Sequence, residues 1–230
     1  MSEQVQKLFD SIAPKYDLLN SLLSFKIDSR WRRHAVGRLK EKKYEEILDL
    51  CAGTLALTKT LLTKNKNCHV TAIDFSEEML KAGQESLPYG FLERVDVMKA
   101  DALKLPFQEN SYDAAMCAYG MRNIDDNDLM LQKLHFFLKP GGRLVVLEFF
   151  QPERLLSKMF NLTYAQVVIP VLGKVVSKNK AAYEYLRDSV RRYYTPSAFR
   201  ELLMAHDFKI IDIKPLTGGI THLFVAETIK

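Results

Sequence analysis

Five short apolar segments alternate with longer amphipathic ones between residues 46 and 148, and this rhythm constrains the fold more than any other feature. The short segments span residues 46–50, 69–74, 95–100, 112–117 and 143–148, and they are rich in apolar and branched residues. Short apolar strands that alternate with helices are typical of a buried, mostly parallel sheet. The sequence therefore predicts an α/β core with a doubly wound sheet.

Helices are predicted between the strands and on both sides of them. Ser76 precedes a helical pattern over residues 77–86, where its hydroxyl group is suited to cap the first turn. Further helical patterns occupy residues 3–44, 125–138, 151–190, which is broken at Pro170, and 195–206. Two edge strands, residues 209–215 and 222–228, are expected at the end.

Composition restricts the class of protein. Hydrophobic residues make up 47% of the 230 residues, which is typical of a globular chain. No apolar run is long enough to span a membrane, and the polar N-terminus predicts no secretory signal. Cys51, Cys68 and Cys117 are far apart in sequence and lack zinc-site spacing, so reduced thiols in a cytoplasmic protein are expected.

Acidic residues lie at or just after the ends of three predicted strands. Asp49 lies in the first strand, Asp74 ends the second, 21 residues after Gly53, and Asp101 with Ala102 follows the third. In open α/β sheets, ligands bind where the carboxyl ends of the strands meet. An acid at the end of the second strand is suited to bind ribose hydroxyls, and Asp101 is suited to the amino group of adenine.

The turn after the first strand indicates which nucleotide binds. Gly53 is its only glycine, and Leu55 stands where a second glycine is expected. A pyrophosphate needs close backbone N–H groups, whereas S-adenosylmethionine carries no phosphate. Leu55 is therefore tolerable in an S-adenosylmethionine loop, which it is expected to narrow. The Pro-Gly-Gly turn at residues 140–142, before the fifth strand, also favours a methyltransferase.

Five stretches of the sequence are distinctive, namely YDLLNSLLSFKIDSRW (16–31), YGMRN (119–123), LKPGGRLVVLEF (138–149), YEYLRDSVRRY (183–193) and LTGGI (216–220). Together they resemble the quinone-biosynthesis C-methyltransferases, which convert demethylmenaquinol to menaquinol and in some bacteria methylate the benzoquinol precursor of ubiquinone. The sequence departs from the family pattern at Leu19, Asp28, Phe150, Arg187 and Asp188.

The resemblance implies a class I methyltransferase fold with helical N-terminal and lid segments. It also implies that Thr54, Asp74, Asp101 and Ala102 bind S-adenosylmethionine, beside Asp49 and Gly53. A single domain is expected over the whole chain. Its parts are a helical substrate cap (1–44), a cofactor-binding core (45–150), a helical lid (151–194) and a C-terminal helix with edge strands (195–230).

Methylation of a quinol ring carbon requires an electron-rich ring, and the phenolate is the more nucleophilic form. A phenol titrates near pH 10, so the site must favour its ionised form. Arg122, beside Asn123, is predicted to stabilise the oxyanion, and Tyr16 to relay a proton. The alternatives are that Arg122 pairs with Asp125 or Asp126, and that Tyr16 is a core aromatic. No metal is needed.

The prenylated tail of such an acceptor lies in a bilayer. Residues 151–200 carry a net charge of +6, and the apolar stretch 162–176 is flanked by lysines, which suits a tail-binding wall or an interfacial helix as well as it suits a core helix. We therefore expect a cytoplasmic protein that contacts the inner face of the membrane transiently. The sequence leaves homodimer formation open.

Two other functions remain at this point. One is methylation of a soluble phenol or of RNA, although the sequence lacks the aromatic residues interleaved with basic ones that nucleic-acid binding favours, so no nucleic-acid partner is predicted. The other is a cofactor-binding subunit that has lost turnover through Leu55.

Overall fold

A seven-stranded sheet forms the centre of the computed structural model, which describes residues 3–13, 16–24, 26–39, 43–153 and 180–230. Its strands are β1 (Glu46–Leu50), β2 (His69–Asp74), β3 (Val95–Lys99), β4 (Tyr112–Ala118), β5 (Leu138–Phe149), β6 (Phe208–Leu216) and β7 (Thr221–Thr228). They lie in the order β3-β2-β1-β4-β5-β7-β6. All pairings from β3 to β5 are parallel, and β7 is antiparallel to both of its neighbours.

The chain winds outward twice from the centre of this sheet. It runs from β1 to β2 and β3 on one side, then returns to place β4 against β1 and β5 beyond it. The direction reverses between β1 and β4, where open α/β sheets bind their ligands. The doubly wound prediction is thus confirmed.

Nine helices of the described chain surround the sheet. They are α1 (Glu3–Ile12), α2 (Tyr16–Leu23), α3 (Ile27–Gly37), α4 (Ala56–Lys64), α5 (Glu77–Ser86), α6 (Tyr89–Leu92), α7 (Asn127–Phe137), α8 (Lys180–Arg192) and α9 (Pro196–Ala205). Within the part of the chain that the structure describes, none has the length and apolar character needed to cross a bilayer. The apolar stretch 162–176 lies outside the described residues.

Side-chain caps set where three helices begin. The hydroxyl group of Ser76 accepts the Met79 N–H at 3.1 Å, which confirms the predicted cap of α5. Asp126 accepts the Leu129 N–H at 2.9 Å, so α7 begins two residues later than expected. The hydroxyl group of Thr195 caps α9 through the Ala198 N–H at 3.2 Å.

Two strand predictions need correction. The second C-terminal strand, β7, is not an edge strand, because β5 and β6 flank it. Of the two C-terminal strands, only β6 lies at an edge of the sheet. The fifth strand begins at Leu138 rather than Arg143, since Leu138 pairs with Tyr112 before the Pro-Gly-Gly turn interrupts the register. The hydroxyl group of Thr228 holds that turn, because it donates to the Lys139 carbonyl at 2.8 Å and accepts the Gly142 N–H at 3.1 Å.

Buried side chains form one apolar cluster on each face of the sheet. The N-terminal helices join the first cluster through Trp31, which is 4% exposed and lies edge-on to Phe149. Its indole N–H donates to the hydroxyl group of Thr217 at 2.9 Å. Helix α3 is thereby fixed beside the ends of β5 and β7, close to the carboxyl edge of the sheet.

Candidate active site

A cleft of about 710 Å³ opens above the carboxyl ends of β1, β2, β3 and β4. Six of the predicted site residues border it, namely Tyr16, Gly53, Asp74, Asp101, Ala102 and Asn123. Helix α1 contributes Phe9 to the opposite wall, where its ring contacts Tyr16 edge-on with centroids 6.2 Å apart. We call this cleft the cofactor cavity. Asp49, Thr54 and Arg122 lie outside its wall.

The loop after β1 adopts left-handed backbone at alternate residues. The φ angles are +54° at Cys51, +52° at Gly53 and +57° at Leu55. The loop is held to β2 by the Ala52 N–H, which donates to the Ile73 carbonyl at 2.9 Å. These turns bring the backbone N–H of Gly53 to the end of β2, where Asp74 accepts it at 2.8 Å.

Leu55 does not narrow the cavity, contrary to the expectation from its position. Its side chain is fully buried among apolar residues of the core. It packs against helix α5 at Gly83, where an added Cβ would lie 2.7 Å from the Cγ of Leu55. The left-handed backbone at Leu55 thus turns its side chain into the core and away from the ligand.

Substitution of Leu55 tests this orientation. Leu55→Ala should lower the free energy of unfolding by about 2–5 kcal/mol, since it empties a buried leucine site. Leu55→Gly should be more stable than Leu55→Ala by about 1 kcal/mol, because glycine adopts a positive φ without strain. At the buried helical control Leu57 the order should reverse. Urea unfolding of the four variants measures both orders, and equal orders at the two positions would contradict the account.

Both carboxylate oxygens of Asp74 accept hydrogen bonds from backbone N–H groups. Its Oδ2 accepts the Gly53 N–H and its Oδ1 accepts the Ser76 N–H, each at 2.8 Å. Burial raises the pKa of Asp74 above its usual value, although the N–H groups of Ser76 and Gly53 oppose this shift. A carboxylate oxygen accepts two hydrogen bonds, so each oxygen can also accept a ligand hydroxyl. Beside it, the hydroxyl group of Ser76 donates to the Asp10 carboxylate.

Asp101 and Ala102 lie across the cavity from the β1 loop. The Oδ1 atom of Asp101 accepts the Leu103 N–H at 3.0 Å and so caps the short helical turn Ala102–Lys104. Its Oδ2 lies 3.7 Å from the Nζ atom of Lys104. The apolar side chains of Leu103 and Ile124 line the cavity nearby. This combination of one acid and apolar walls suits a flat heterocycle that carries an amino group.

Asp49 and Thr54 support the loop from below. Asp49 is 1% exposed, and its Oδ2 accepts the hydroxyl group of Thr58 at 2.5 Å. The hydroxyl group of Thr54 donates to the Asp17 carboxylate of α2 at 2.7 Å. Both residues therefore hold the β1 loop against helices α2 and α4, rather than forming the wall of the cavity.

The pH dependence of stability tests the buried state of Asp49. Burial raises the pKa of Asp49 to about 7, against the effect of the Thr58 hydrogen bonds. Its carboxyl group is neutral in the folded protein and ionised in the unfolded one between about pH 4 and 7, so stability falls as the pH rises through this window. Asp49→Asn should remove this loss. The free energy of unfolding of the variant, relative to wild type, should therefore rise between about pH 4 and pH 7 by at most about 4 kcal/mol.

Asp113 provides the control of opposite sign. Burial raises its pKa, but the N–H groups of Glu45 and Glu46 and the ammonium group of Lys139 outweigh burial, and the net shift is downward. Asp113 therefore stabilises the fold above its unfolded pKa, and this contribution is lost on acidification. In denaturant titrations from pH 2 to 8, the stability of Asp49→Asn relative to wild type should rise between about pH 4 and 7, whereas that of Asp113→Asn should fall as the pH rises to about 4. Changes of the same sign in the two variants would refute the assignment.

Arg122 pairs with Glu148 at the end of β5 rather than with Asp125 or Asp126. The Nη1 atom donates to the Oε1 atom of Glu148 at 2.6 Å, and the two side chains are 5% and 0% exposed. The same Nη1 donates to the Tyr119 carbonyl at 2.7 Å. Burial lowers the pKa of Arg122, but the charge and hydrogen bond of Glu148 together with nearby Tyr16 and Tyr185 outweigh burial, and the net shift is upward.

Arg122 and Asn123 border a second groove of about 1130 Å³ between α7 and α8. We call this groove the acceptor groove. It also includes Tyr185 of α8, whose hydroxyl group donates to the Oδ1 atom of Asn123 at 2.7 Å. The Nε atom of Arg122 donates to the hydroxyl group of Ser189 at 3.3 Å. Asn123 and Ile124 border both the groove and the cofactor cavity, so the two spaces meet at these residues.

The family assignment rests on a comparison that covers nearly the whole chain. A model described as the ubiE/COQ5 methyltransferase family matches residues 1–227. The chain belongs to this family. As a ubiE/COQ5 member it is a C-methyltransferase that uses S-adenosylmethionine as the methyl donor, and the predicted resemblance, fold class and cofactor are confirmed.

Curated relatives match this ubiE/COQ5 protein along most of their lengths. The demethylmenaquinone methyltransferase of Thermus thermophilus is 40% identical over 220 residues, which cover 96% of this chain and 99% of the relative. That of Bacteroides fragilis is 35% identical, with coverage of 98% and 92%. The ubiquinone/menaquinone biosynthesis C-methyltransferase of Geotalea uraniireducens is 36% identical, with coverage of 98% and 96%.

Solved structures share the fold at low sequence identity. A SAM-dependent methyltransferase from Aquifex aeolicus has a TM-score of 0.63 at 18% identity, with coverage of 91% of this chain and 98% of that chain. The [4+2]-cyclase SpnF has a TM-score of 0.72 at 16% identity, with coverage of 97% and 96%. Since a cyclase shares the fold, the fold alone does not select the reaction.

The cofactor cavity fits S-adenosylmethionine on two structural grounds. Asp74 presents its carboxylate at the end of β2, where ribose hydroxyls are bound in this type of sheet. The exit of β4 also approaches the β1 loop closely, because a Cβ on Gly120 would lie 2.2 Å from the Cβ of Cys51. The two backbone segments thus meet at the wall of the cavity without a phosphate-binding glycine run.

Sequence reasoning missed two residues of this region, Glu148 and Tyr185. Glu148 carries a detectable signal, because it ends a buried apolar strand as Asp74 does, and a buried acid needs a partner. Tyr185 lies in one of the stretches that carry the family resemblance. Its contact with Asn123 joins residues 62 positions apart, which no local pattern reveals.

Proposed function

We propose that this ubiE/COQ5 protein transfers a methyl group from S-adenosylmethionine to a ring carbon of demethylmenaquinol and forms menaquinol. The observation that carries the proposal is the junction of two spaces at Asn123 and Ile124, one suited to the nucleoside and the other lined by a buried cation. The Thermus and Bacteroides relatives, both named demethylmenaquinone methyltransferases, support this acceptor. Methylation of the ubiquinone-pathway benzoquinol is the second candidate, supported by the name of the Geotalea relative.

Asp74 and Asp101 would hold the two ends of the nucleoside. Asp74 would accept the ribose hydroxyls, and Asp101 with Ala102 would border the adenine. Gly53 acts through its N–H, which keeps the Asp74 carboxylate in place. Asp49 and Thr54 would contribute indirectly, since both fix the loop from below. When bound, S-adenosylmethionine supplies an electrophilic methyl group on a sulfonium.

Arg122 would favour the ionised acceptor. Its cation is fixed by buried Glu148 and borders the acceptor groove, so its field would act on a bound phenolate with less solvent screening than an exposed cation provides. Burial keeps the pKa of Tyr185 above its usual value despite the nearby Arg122 cation, so its hydroxyl remains a donor. Asn123 and Tyr185 would orient the ring at the junction, and Tyr16 would relay the proton from the side of the cofactor cavity.

Comparison of acceptors tests this assignment. Initial rates with S-adenosylmethionine should give the highest kcat/KM for prenylated demethylmenaquinol, a lower value for the prenylated benzoquinol, and the lowest for a soluble phenol. A preference for benzoquinol would replace the first acceptor by the second. Turnover of RNA or of a tailless phenol with comparable kcat/KM would refute the quinol assignment, and cofactor binding without turnover of any acceptor would favour a subunit that has lost catalysis.

Transient contact with the inner membrane surface is part of the proposal, because the prenylated acceptor lies in the bilayer. Arg187 and Arg191 are exposed on α8, within the basic segment 151–200. Their double substitution by glutamate should weaken binding to phosphatidylglycerol vesicles by roughly tenfold or more. The same change at exposed Lys64 and Lys66 is the charge-matched control and should have a smaller effect.

Vesicle co-sedimentation at low and high salt measures this contact, and binding of wild type should be lost at high salt. Equal binding to neutral and anionic vesicles, or equal losses in the two double variants, would contradict a membrane contact through α8. The proposed helical cap (1–44) and lid (151–194) would then have to reach the membrane-bound acceptor through a contact other than α8.

A further inference from the structure

Two cysteine side chains meet beside Gly120, although they are 66 positions apart in the sequence. The Sγ atoms of Cys51 and Cys117 both lie 2.9 Å from the same point, which is the position that a Cβ on Gly120 would occupy. The interaction with Cys51 also raises the pKa of Cys117, in keeping with this proximity. Both cysteines are in the free, reduced state.

The fold explains why these thiols meet. Cys117 lies on β4 in register with Leu50 of β1. Cys51 directly follows Leu50 in the chain. In a regular strand, Cys51 would point to the opposite face from Leu50. The positive φ of Cys51 ends that alternation, and its side chain packs against the same apolar cluster that contains Leu50 and Cys117.

The two thiols differ in access. Cys51 borders the cofactor cavity, whereas Cys117 is fully buried. The interaction with Cys51 and burial both raise the pKa of Cys117, so its thiol remains protonated. An oxidant that enters the cavity therefore meets Cys51 first, and Cys117 is placed to react with the product.

We propose that Cys51 and Cys117 form a redox-sensitive pair in the wall of the cofactor cavity, which a hydroperoxide converts to a disulfide. The sulfur of Cys51 attacks one peroxide oxygen and becomes a sulfenic acid, with release of water when hydrogen peroxide is the oxidant. The sulfur of Cys117 then attacks the sulfur of Cys51, the S–O bond breaks, and the Cys117 proton leaves with the hydroxyl group as a second water. Overall, two thiols and one hydrogen peroxide give one disulfide and two waters.

Formation of the disulfide affects the cofactor cavity directly. The Cβ of Cys51 already lies against Gly120 with no room for another atom between them. Movement of Cys51 towards β4 therefore shifts the loop that carries Gly53, whose N–H holds the Asp74 carboxylate. Oxidised protein should bind S-adenosylmethionine about tenfold more weakly, the effect of one hydrogen bond to a charged group, and reduction should restore the affinity.

Peptide mapping tests the pair. The full chain is treated with hydrogen peroxide, remaining thiols are blocked with iodoacetamide, and tryptic peptides are analysed without reduction. We expect a linked product of peptides 44–59, with Cys51, and 105–122, with Cys117, that has lost two hydrogens and separates with dithiothreitol. Cys68, buried on the other face of the sheet, is the internal control and should stay unlinked.

Cofactor protection adds a second readout. S-adenosylmethionine at ten times its dissociation constant should slow the linkage about tenfold, because only the free fraction exposes Cys51. In Cys117→Ser, Cys51 should oxidise without forming a link, and in Cys51→Ser the buried Cys117 should resist oxidation.

Three results would overturn the proposal. They are oxidation of Cys51 in wild type without a link to Cys117, a link that involves Cys68, and unchanged cofactor affinity in the linked protein. A linkage rate that stays unchanged while calorimetry shows the cofactor to be bound would contradict the place of Cys51 in the cavity wall. If calorimetry finds no cofactor binding, the cofactor assignment fails, whereas the linked peptide still decides the pairing of the thiols.

Discussion

Arg122→Ala is expected to lower the free energy of unfolding by about 3–5 kcal/mol and to lower turnover by about 10²–10³. The loss of stability follows because Glu148 is fully buried and would keep an uncompensated charge. The loss of turnover follows if the cation stabilises the phenolate, an interaction stronger in the transition state than in the ground state. Urea unfolding and steady-state kinetics with a prenylated quinol measure the two effects.

A double variant separates the two effects. Arg122→Met with Glu148→Gln removes both charges and keeps an acceptor for the Phe149 N–H, which Glu148 accepts at 2.7 Å. Stability should largely return, because replacement of a buried ion pair by uncharged groups is often close to neutral. Turnover should remain low and should rise with pH as solvent ionises the acceptor.

Arg122→Lys should recover only part of the rate, since a point charge cannot reproduce the guanidinium contacts to Glu148 and Ser189. If the double variant recovers turnover together with stability, Arg122 is only a structural partner of Glu148. The activating group would then be sought at Tyr16 or Tyr185.

Asp74→Asn is expected to weaken S-adenosylmethionine binding about tenfold or more, because hydrogen bonds to a charged acceptor contribute roughly 1.5–3 kcal/mol. An asparagine has one acceptor oxygen where the aspartate has two. It therefore cannot accept the Gly53 N–H at one oxygen position and the Ser76 N–H at the other. The β1 loop should therefore lose its anchor as well as its ribose ligand. Calorimetry measures the affinity, and thermal unfolding measures the loop.

Asp101→Asn is the matched control for the loss of a carboxylate. Its amide oxygen can still accept the Leu103 N–H, since asparagine is a good capping residue. Cofactor affinity should therefore fall less than in Asp74→Asn, with no change in thermal unfolding. Wild-type affinity in Asp74→Asn, or equal losses in the two variants, would remove Asp74 from the proposed ribose site.

Local patterns were enough to predict the parallel part of the sheet. The strands that became β1, β2 and β3 were predicted within one residue, and the cap at Ser76 follows from its hydroxyl and the helix after it. The interior position of β7 was not predictable, because its pairing with β5 joins residues about 80 positions apart. A strand pattern indicates an extended segment but not its neighbours.

The site was predictable where the topology itself brings residues together. The acids at the ends of β2 and β3 meet because parallel strands end at one edge, and both border the cofactor cavity. The direction of Leu55 was missed, because a positive φ at a leucine is rare and no sequence pattern announces it. The partner of Arg122 was missed because Glu148 is 26 positions away on another strand.

The reaction itself is tested most directly with trideuteriomethyl S-adenosylmethionine and prenylated demethylmenaquinol, followed by mass spectrometry and NMR of the product. The account predicts menaquinol that carries the intact trideuteriomethyl group on the ring carbon that was unsubstituted, with Arg122→Ala forming the same product about 10²–10³ times more slowly. Label on a quinol oxygen, or no transfer to demethylmenaquinol by protein that binds the cofactor, would contradict it.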